Sequence, residues 1–215
     1  VRVDPLSPGN VWAATTDGVY KSSNAGASWT RVHAVVMAMD LALHPLDPDI
    51  ALVACGNLGS PGRGIYRTTD GGAAWTKIEG GGVPADFPGK IPRATTPAKA
   101  NIVYASVGPN NFTWLLRSTN FGQTWVLRNT TDYSRWQGWY AHDVGVHRTD
   151  PNTILCVGID VWRSTNGGST LTRVSDYRGY FPGQVPAGGP EGPPNYSHAD
   201  HHDLRYHPTL PNVVY

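Results

Sequence analysis

Cysteine is scarce, long apolar runs are missing, and neither sign of charge dominates. Only Cys55 and Cys156 occur among 215 residues, which excludes a small disulfide-dense scaffold. No apolar run approaches the roughly 20 residues that cross a bilayer as a helix. Seventeen basic residues face sixteen acidic ones, so the basic footprint of a nucleic-acid binder is lacking. No stretch sustains the apolar period of an amphipathic helix, and no signal peptide is visible at Val1. Glycine (25) and proline (18) are plentiful, as in a chain of many turns.

One short phrase recurs four times. It reads Ser22-Ser23-Asn24-Ala25-Gly26-Ala27-Ser28-Trp29, then Thr68-Thr69-Asp70-Gly71-Gly72-Ala73-Ala74-Trp75. It returns as Ser118-Thr119-Asn120-Phe121-Gly122-Gln123-Thr124-Trp125 and as Ser164-Thr165-Asn166-Gly167-Gly168-Ser169-Thr170-Leu171. The starts, at 22, 68, 118 and 164, lie 46, 50 and 46 residues apart, the period of a four-stranded propeller blade. A Ser or Thr with an Asp or Asn can bond the backbone of its own turn. The fixed glycines Gly26, Gly72, Gly122 and Gly168 suit a positive φ. Trp29, Trp75 and Trp125 are expected to close the turn as apolar lids between neighbouring sheets. Asn24, Asp70, Asn120 and Asn166 thus read as turn builders, since a repeated unit makes the scaffold.

Each box follows a short apolar run ending in a basic residue, as in Gly64-Ile65-Tyr66-Arg67. Earlier comes a proline-marked turn and a β-rich run, such as His44-Pro45-Leu46-Asp47-Pro48 into Ala51-Leu52-Val53. Each unit therefore supplies four short strands. The expected repeats lie near 1–37, 38–89, 90–140, 141–202 and 203–215, with the first and last incomplete. The expectation is an all-β propeller of four-stranded antiparallel blades, of which this chain is part. Cys55 and Cys156 fall two blades apart, beyond the roughly 7 Å Cα limit for a bridge, and are expected as buried thiols.

These boxes at this spacing resemble the Asp-box (BNR) repeat family of β-propellers, across nearly the whole chain. The resemblance implies the fold and leaves the activity open. Related propellers include sialidases, xyloglucan-cleaving glycosidases, sortilin-type receptors and photosystem assembly factors. The sialidase Phe/Tyr-Arg-Ile-Pro motif is missing, Ile91-Pro92-Arg93 having another order. Thr16-Asp17-Gly18-Val19-Tyr20 is only distantly similar to the first catalytic segment of the xyloglucan-cleaving family, which counts against that activity.

Three expected inner strands open on an aspartate in register, at Asp40, Asp143 and Asp203, and His142 and His202 precede two of them. Inner strands line the channel of a propeller, so these groups should ring one mouth. They either cap strand entries and tie neighbouring blades, or present carboxylates to a substrate. In the second case Asp143 and Asp203 are the catalytic candidates, because glycoside hydrolysis needs two carboxyl groups roughly 5–10 Å apart. The densest cluster is Ser197-His198-Ala199-Asp200-His201-His202-Asp203. In an extended segment His198, Asp200 and His202 share a face, and together they could hold a divalent metal such as zinc. No other cofactor is implied.

Two connections are enlarged, Thr131–Tyr140 and Ser175 to about Tyr196, and both open on Asp-Tyr. Loops of this length are often functional. Tyr133, Trp136, Trp139, Tyr177 and Tyr180 are expected to flank the mouth as ligand-binding aromatics, with His142, His198, Asp200 and His202 as polar contacts. The alternative for the rings is packing over blade edges. The reading is an extracytoplasmic binding or scaffold module for a polysaccharide or a partner protein, within a larger assembly. The alternative is a glycoside hydrolase.

Overall fold

Short apolar runs separated by turns build four antiparallel sheets, one per repeat. The computed structural model describes residues 1–57, 59–84, 93–96, 99–108, 112–180 and 195–215, leaving aside the side chains of 93–96, 179 and 180. The first sheet holds β1 (Arg2–Val3), β2 (Val11–Thr15), β3 (Gly18–Ser22) and β4 (Thr30–His33). The second holds β5 (Ala38–Leu43), β6 (Ala51–Cys55), β7 (Gly64–Thr68) and β8 (Thr76–Lys77). The third holds β9 (Arg93–Thr96), β10 (Lys99–Val107), β11 (Trp114–Ser118) and β12 (Val126–Asn129). The fourth holds β13 (Asp143–Val146), β14 (Ile154–Val157), β15 (Val161–Ser164) and β16 (Thr172–Arg173). Strand order in every sheet is chain order. The expected propeller blades are therefore present. Among the described residues no helix is long and apolar enough to cross a membrane.

The blades stack face to face, and their cores lie between them. Trp12, Val19, Leu41 and Val53 pack the first blade on the second. Leu52, Ile65, Val103 and Leu116 join the second to the third. Tyr104, Leu115, Val144 and Ile154 join the third to the fourth. The central strands β6 and β10 are buried on both faces, which explains their unbroken apolar runs. Beyond the fourth blade, Arg205 and Tyr215 exchange backbone bonds of 3.0 and 2.9 Å, and His207 N donates to Val213 O at 2.8 Å. A further inner and second strand thus begin to pair. Cys55 and Cys156 are both buried and unbridged.

The inner strands share a register. In the second and fourth blades, and in the segment after the fourth, the strand ends in a turn where His44, His147 or His207 accepts a backbone N–H two residues on through Nδ1, at 3.2, 3.3 and 3.1 Å. Asp4 takes that role in the first blade, accepting Leu6 N at 2.9 Å. This alignment sets Asp40, Asp143 and Asp203 at equivalent strand entries.

All four boxes close in one way. The Ser or Thr hydroxyl donates to the Asp or Asn Oδ1 at 2.8–2.9 Å (Ser22–Asn24, Thr68–Asp70, Ser118–Asn120, Ser164–Asn166). The same hydroxyl accepts the N–H of Gly26, Gly72, Gly122 or Gly168. That glycine must be small and left-handed: a Cβ on Gly122 (φ 75°) would sit 2.5 Å from Leu52 of the preceding blade. The lids do not all close. Trp125 is 2% exposed, whereas Trp29 is 41% exposed. The second, third and fourth boxes pack on the blade before them, and among the described residues no blade lies on that side of the first box.

Candidate functional site

The inner strands of the second and fourth blades, and the segment after the fourth, run from an aspartate toward a histidine turn. The aspartates therefore share one face of the propeller with the outer-to-inner connections. The boxes lie on the opposite face.

The carboxylates divide into an exposed and a buried member. Asp143 is 3% exposed. Its Oδ1 accepts Val144 N at 2.8 Å and its Oδ2 accepts Leu204 N at 2.9 Å, so it caps its own strand and ties on the next segment. Asp203 is over half exposed and pairs with Arg205 at 3.0 Å. Leu204 N also donates to Asp203 Oδ1 at 3.0 Å. The two acceptor oxygens thus share one N–H donor and lie less than about 6 Å apart. Burial pushes the Asp143 carboxyl up to about 8, and Asp203 and Asp40 add to the rise against the pull of Val144 N–H. Asp40 caps its own strand through Leu41 N and pairs with Arg2 at 3.0 Å.

His142 and Tyr133 do not face the mouth: both are buried between the third and fourth blades. His142 Nε2–H donates to Gly138 O at 2.9 Å. In the tautomer that carries its proton on Nε2, Nδ1 is left as an acceptor. Ser106 O–H donates to it at 2.6 Å, and Tyr133 O–H donates to Ser106 Oγ at 2.6 Å. Burial raises the Tyr133 hydroxyl well above its ordinary range. A filled chain of this kind specifies packing and leaves no group for a ligand. The expectation from sequence missed the inward turn because Ser106 lies on another blade.

The His198–Asp203 segment splits rather than converging. His201 Nδ1 bonds Gly158 O at 2.7 Å, and its Nε2 lies 2.5 Å from Ser197 Oγ. His198 Nδ1 bonds Ala199 O at 2.8 Å and is exposed. Asp200 takes a positive φ of 70°, which breaks the extended alternation that would align the three ligands. His202 sets its ring edge-on to Tyr140, 4.4 Å between centroids. Among the described residues no three metal-binding side chains come together.

The aromatic loops do reach this face. Trp136 is 64% exposed, and Trp139 and Tyr140 are 39% and 41% exposed. Trp139 and Tyr140 lie 5.1 Å apart, so with His202 they form a continuous surface. Tyr140 was not singled out from sequence. Tyr177 is half-buried under the Arg135 guanidinium, 5.4 Å from the ring centre. The side chain of Tyr180 and residues 181–194 lie outside the described residues. Buried Asp160 joins the two loops: it pairs with Arg135 and Arg173 at 3.6 and 3.5 Å and accepts Tyr177 N at 3.0 Å. Asp17 accepts Tyr20 O–H at 2.5 Å and pairs with Arg31 at 3.1 Å. The Tyr20 hydroxyl first, then Arg31, hold its carboxyl below the usual range. Inside the aspartates a cavity of about 340 Å³ runs between the inner strands, with Arg2, Arg148 and Arg205 as its charged lining.

No known family model and no curated protein matches this chain. Its fold is similar to several solved structures. The GH74 enzyme of Niastella koreensis is 22% identical with a TM-score of 0.62, over 81% of this chain and 29% of that one. The GH74 xyloglucanase of Xanthomonas campestris is 16% identical with a TM-score of 0.61, over 81% and 29%. YCF48 from Cyanidioschyzon merolae is 16% identical with a TM-score of 0.51, over 81% and 55%. The chain spans under a third of the two GH74 enzymes and about half of YCF48. At these identities the likeness establishes the β-propeller fold.

Proposed function

We propose that this chain is a polysaccharide-binding module of an Asp-box propeller, and that it works outside the cytoplasm. The observation that carries the reading is the exposed surface of Trp139, Tyr140 and His202, with Trp136 exposed in the same loop, on the face that carries the aspartates. Flat rings with polar tips suit a ligand that is part apolar and part wet, and the ring of a sugar is one. Contiguous exposed apolar side chains of this kind mark binding sites. The likeness to a xyloglucanase makes xyloglucan the first glycan to test. Titration calorimetry with xyloglucan, cellulose-derived and sialylated oligosaccharides is expected to show binding that Trp136→Ala weakens at least tenfold. No heat with any of them would remove the carbohydrate reading in favour of a protein partner.

A glycoside hydrolase is the second reading, favoured by the Asp143–Asp203 pair. One carboxyl is buried and titrates high while its neighbour is exposed, the division expected of an acid and its partner. Against it, both oxygens of Asp143 are taken by backbone N–H groups. Release of reducing ends from xyloglucan by wild type, abolished in Asp203→Asn, would establish the hydrolase. Binding without release would establish the module.

A further inference from the structure

Two consecutive residues other than glycine, Arg135 (φ 44°) and Trp136 (φ 53°), hold left-handed backbone in the loop that carries the exposed indole. Such conformations persist only where the surroundings enforce them. Here the enforcing group is Asp132. Its Oδ1 accepts Ser134 O–H at 3.1 Å and Arg135 N at 3.0 Å, and its Oδ2 accepts Trp136 N at 3.3 Å. The same carboxylate is fixed to the third blade by Thr113 N and Oγ1, at 3.2 and 3.1 Å.

The loop is braced from both sides. A Cβ on Gly158 of the fourth blade would lie 2.6 Å from Tyr133 O, and one on Gly108 of the third blade 1.8 Å from Gly138 O. The backbones therefore touch where side chains would stand. Tyr133 and Ser134 are buried just before the strained pair. Arg135 is held between Asp160 and the Tyr177 ring. The one large side chain of the 132–136 turn not drawn into this bracing is Trp136. A surface loop with strained, braced backbone that turns an indole to water is organised around that indole.

Resting on the polysaccharide reading, we propose that Trp136 is the anchor of the ligand face, stacking on a pyranose ring, and that Asp132 is its positioning residue. The strained turn fixes the indole before the ligand arrives, so little side-chain freedom is lost on binding. Asp132 touches no ligand and acts through the three-bond clamp on Ser134, Arg135 and Trp136.

The test pairs a ligand-free readout with a binding one. In the protein without sugar, the indole N–H resonance of Trp136, assigned by its loss in Trp136→Phe, reports ring order by heteronuclear relaxation. Binding of xyloglucan heptasaccharide is measured by calorimetry. Asp132→Ala is expected to mobilise the indole and weaken binding at least tenfold while the far-ultraviolet spectrum stays native. Asp132→Asn keeps an acceptor oxygen and is expected to recover most of both. Should Asp132→Ala unfold the chain, Ser134→Ala, which removes one of the three clamp bonds while keeping the carboxylate, serves instead: it should loosen the indole and weaken binding in the folded protein. An indole already mobile in wild type, or unchanged order and affinity in Asp132→Ala, overturns the positioning role. An ordered indole released by Asp132→Ala, with no sugar bound by wild type, upholds positioning by Asp132 and overturns the anchor role together with the polysaccharide reading.

Discussion

Single residues on this face are pulled between scaffold and site, and Asp143 shows the pull most clearly. Its carboxyl ties the fourth blade to the segment after it, yet burial beside Asp203 and Asp40 raises its pKa to about 8. Between the ordinary carboxylate range and about 8 the folded state therefore holds a proton that the unfolded chain has released. Stability from this group is complete below that range and is lost as pH rises toward 8. Asp143→Asn gives up one backbone acceptor but cannot ionise. Urea denaturation from pH 5 to 8.5 should show the variant gaining on wild type as pH rises, and parallel curves would refute the raised pKa. The box tryptophans test packing in the same way. Trp125→Ala should cost about 3–5 kcal/mol, as for a buried indole. Trp29→Ala should cost under about 1.5 kcal/mol, the scale of its one hydrogen bond to Gly26 O. Equal losses in chemical denaturation would mean the first box is covered in solution.

At the scale of elements, the box turn is a small machine with two separable parts. One is the buried hydroxyl, which answers the glycine N–H; the other is the left-handed glycine, which lets the preceding blade approach. Ser118→Ala leaves the Gly122 N–H without its partner and should cost about 1–3 kcal/mol. Gly122→Ala adds a Cβ 2.5 Å from Leu52 at a positive φ and should cost more; the reverse order in urea midpoints would show that the turn, not the interface, decides. These boxes were legible in the sequence because every bond that closes them spans two to four residues. The inner-strand register was legible for the same reason, through the histidine turns. The site was legible only in outline. Trp136 and Trp139 were expected on the mouth face because the outer-to-inner connection that carries them is enlarged, and both side chains are exposed. Tyr133 and His142 were placed there too, but they turn inward to Ser106, 27 and 36 residues away. The metal reading of His198, Asp200 and His202 assumed strand alternation, which the left-handed Asp200 breaks.

For the whole molecule, stability is carried by interfaces between consecutive blades rather than by one central core. Each core cluster joins two successive sheets, as in quasi-linear repeat proteins where neighbour terms sum. The second and third blades each have a blade on both sides, and strands β6 and β10 are buried along most of their length. The first blade is covered on one side only, with Trp29 open to water. The 205–215 pair leans on the fourth blade through Leu204 and Tyr206 and is largely exposed. Opening free energy should therefore fall from the middle outward. In native-state hydrogen exchange, amides of Leu52, Val53, Val103 and Tyr104 should be the slowest, those of β3 and β15 intermediate, and those of His207 and Tyr215 the fastest. The ligand face depends on the interface between the third and fourth blades, where Asp132, Tyr133 and His142 are fixed. Bound sugar should accordingly slow exchange at Ile159, whose N–H closes that interface on Tyr133 O, and at Ala141, whose N–H bonds Gln137 O within the loop, while leaving the first blade unchanged. Uniform protection across all blades would mean that the chain opens as one unit and that the interfaces are not the separable carriers of its stability.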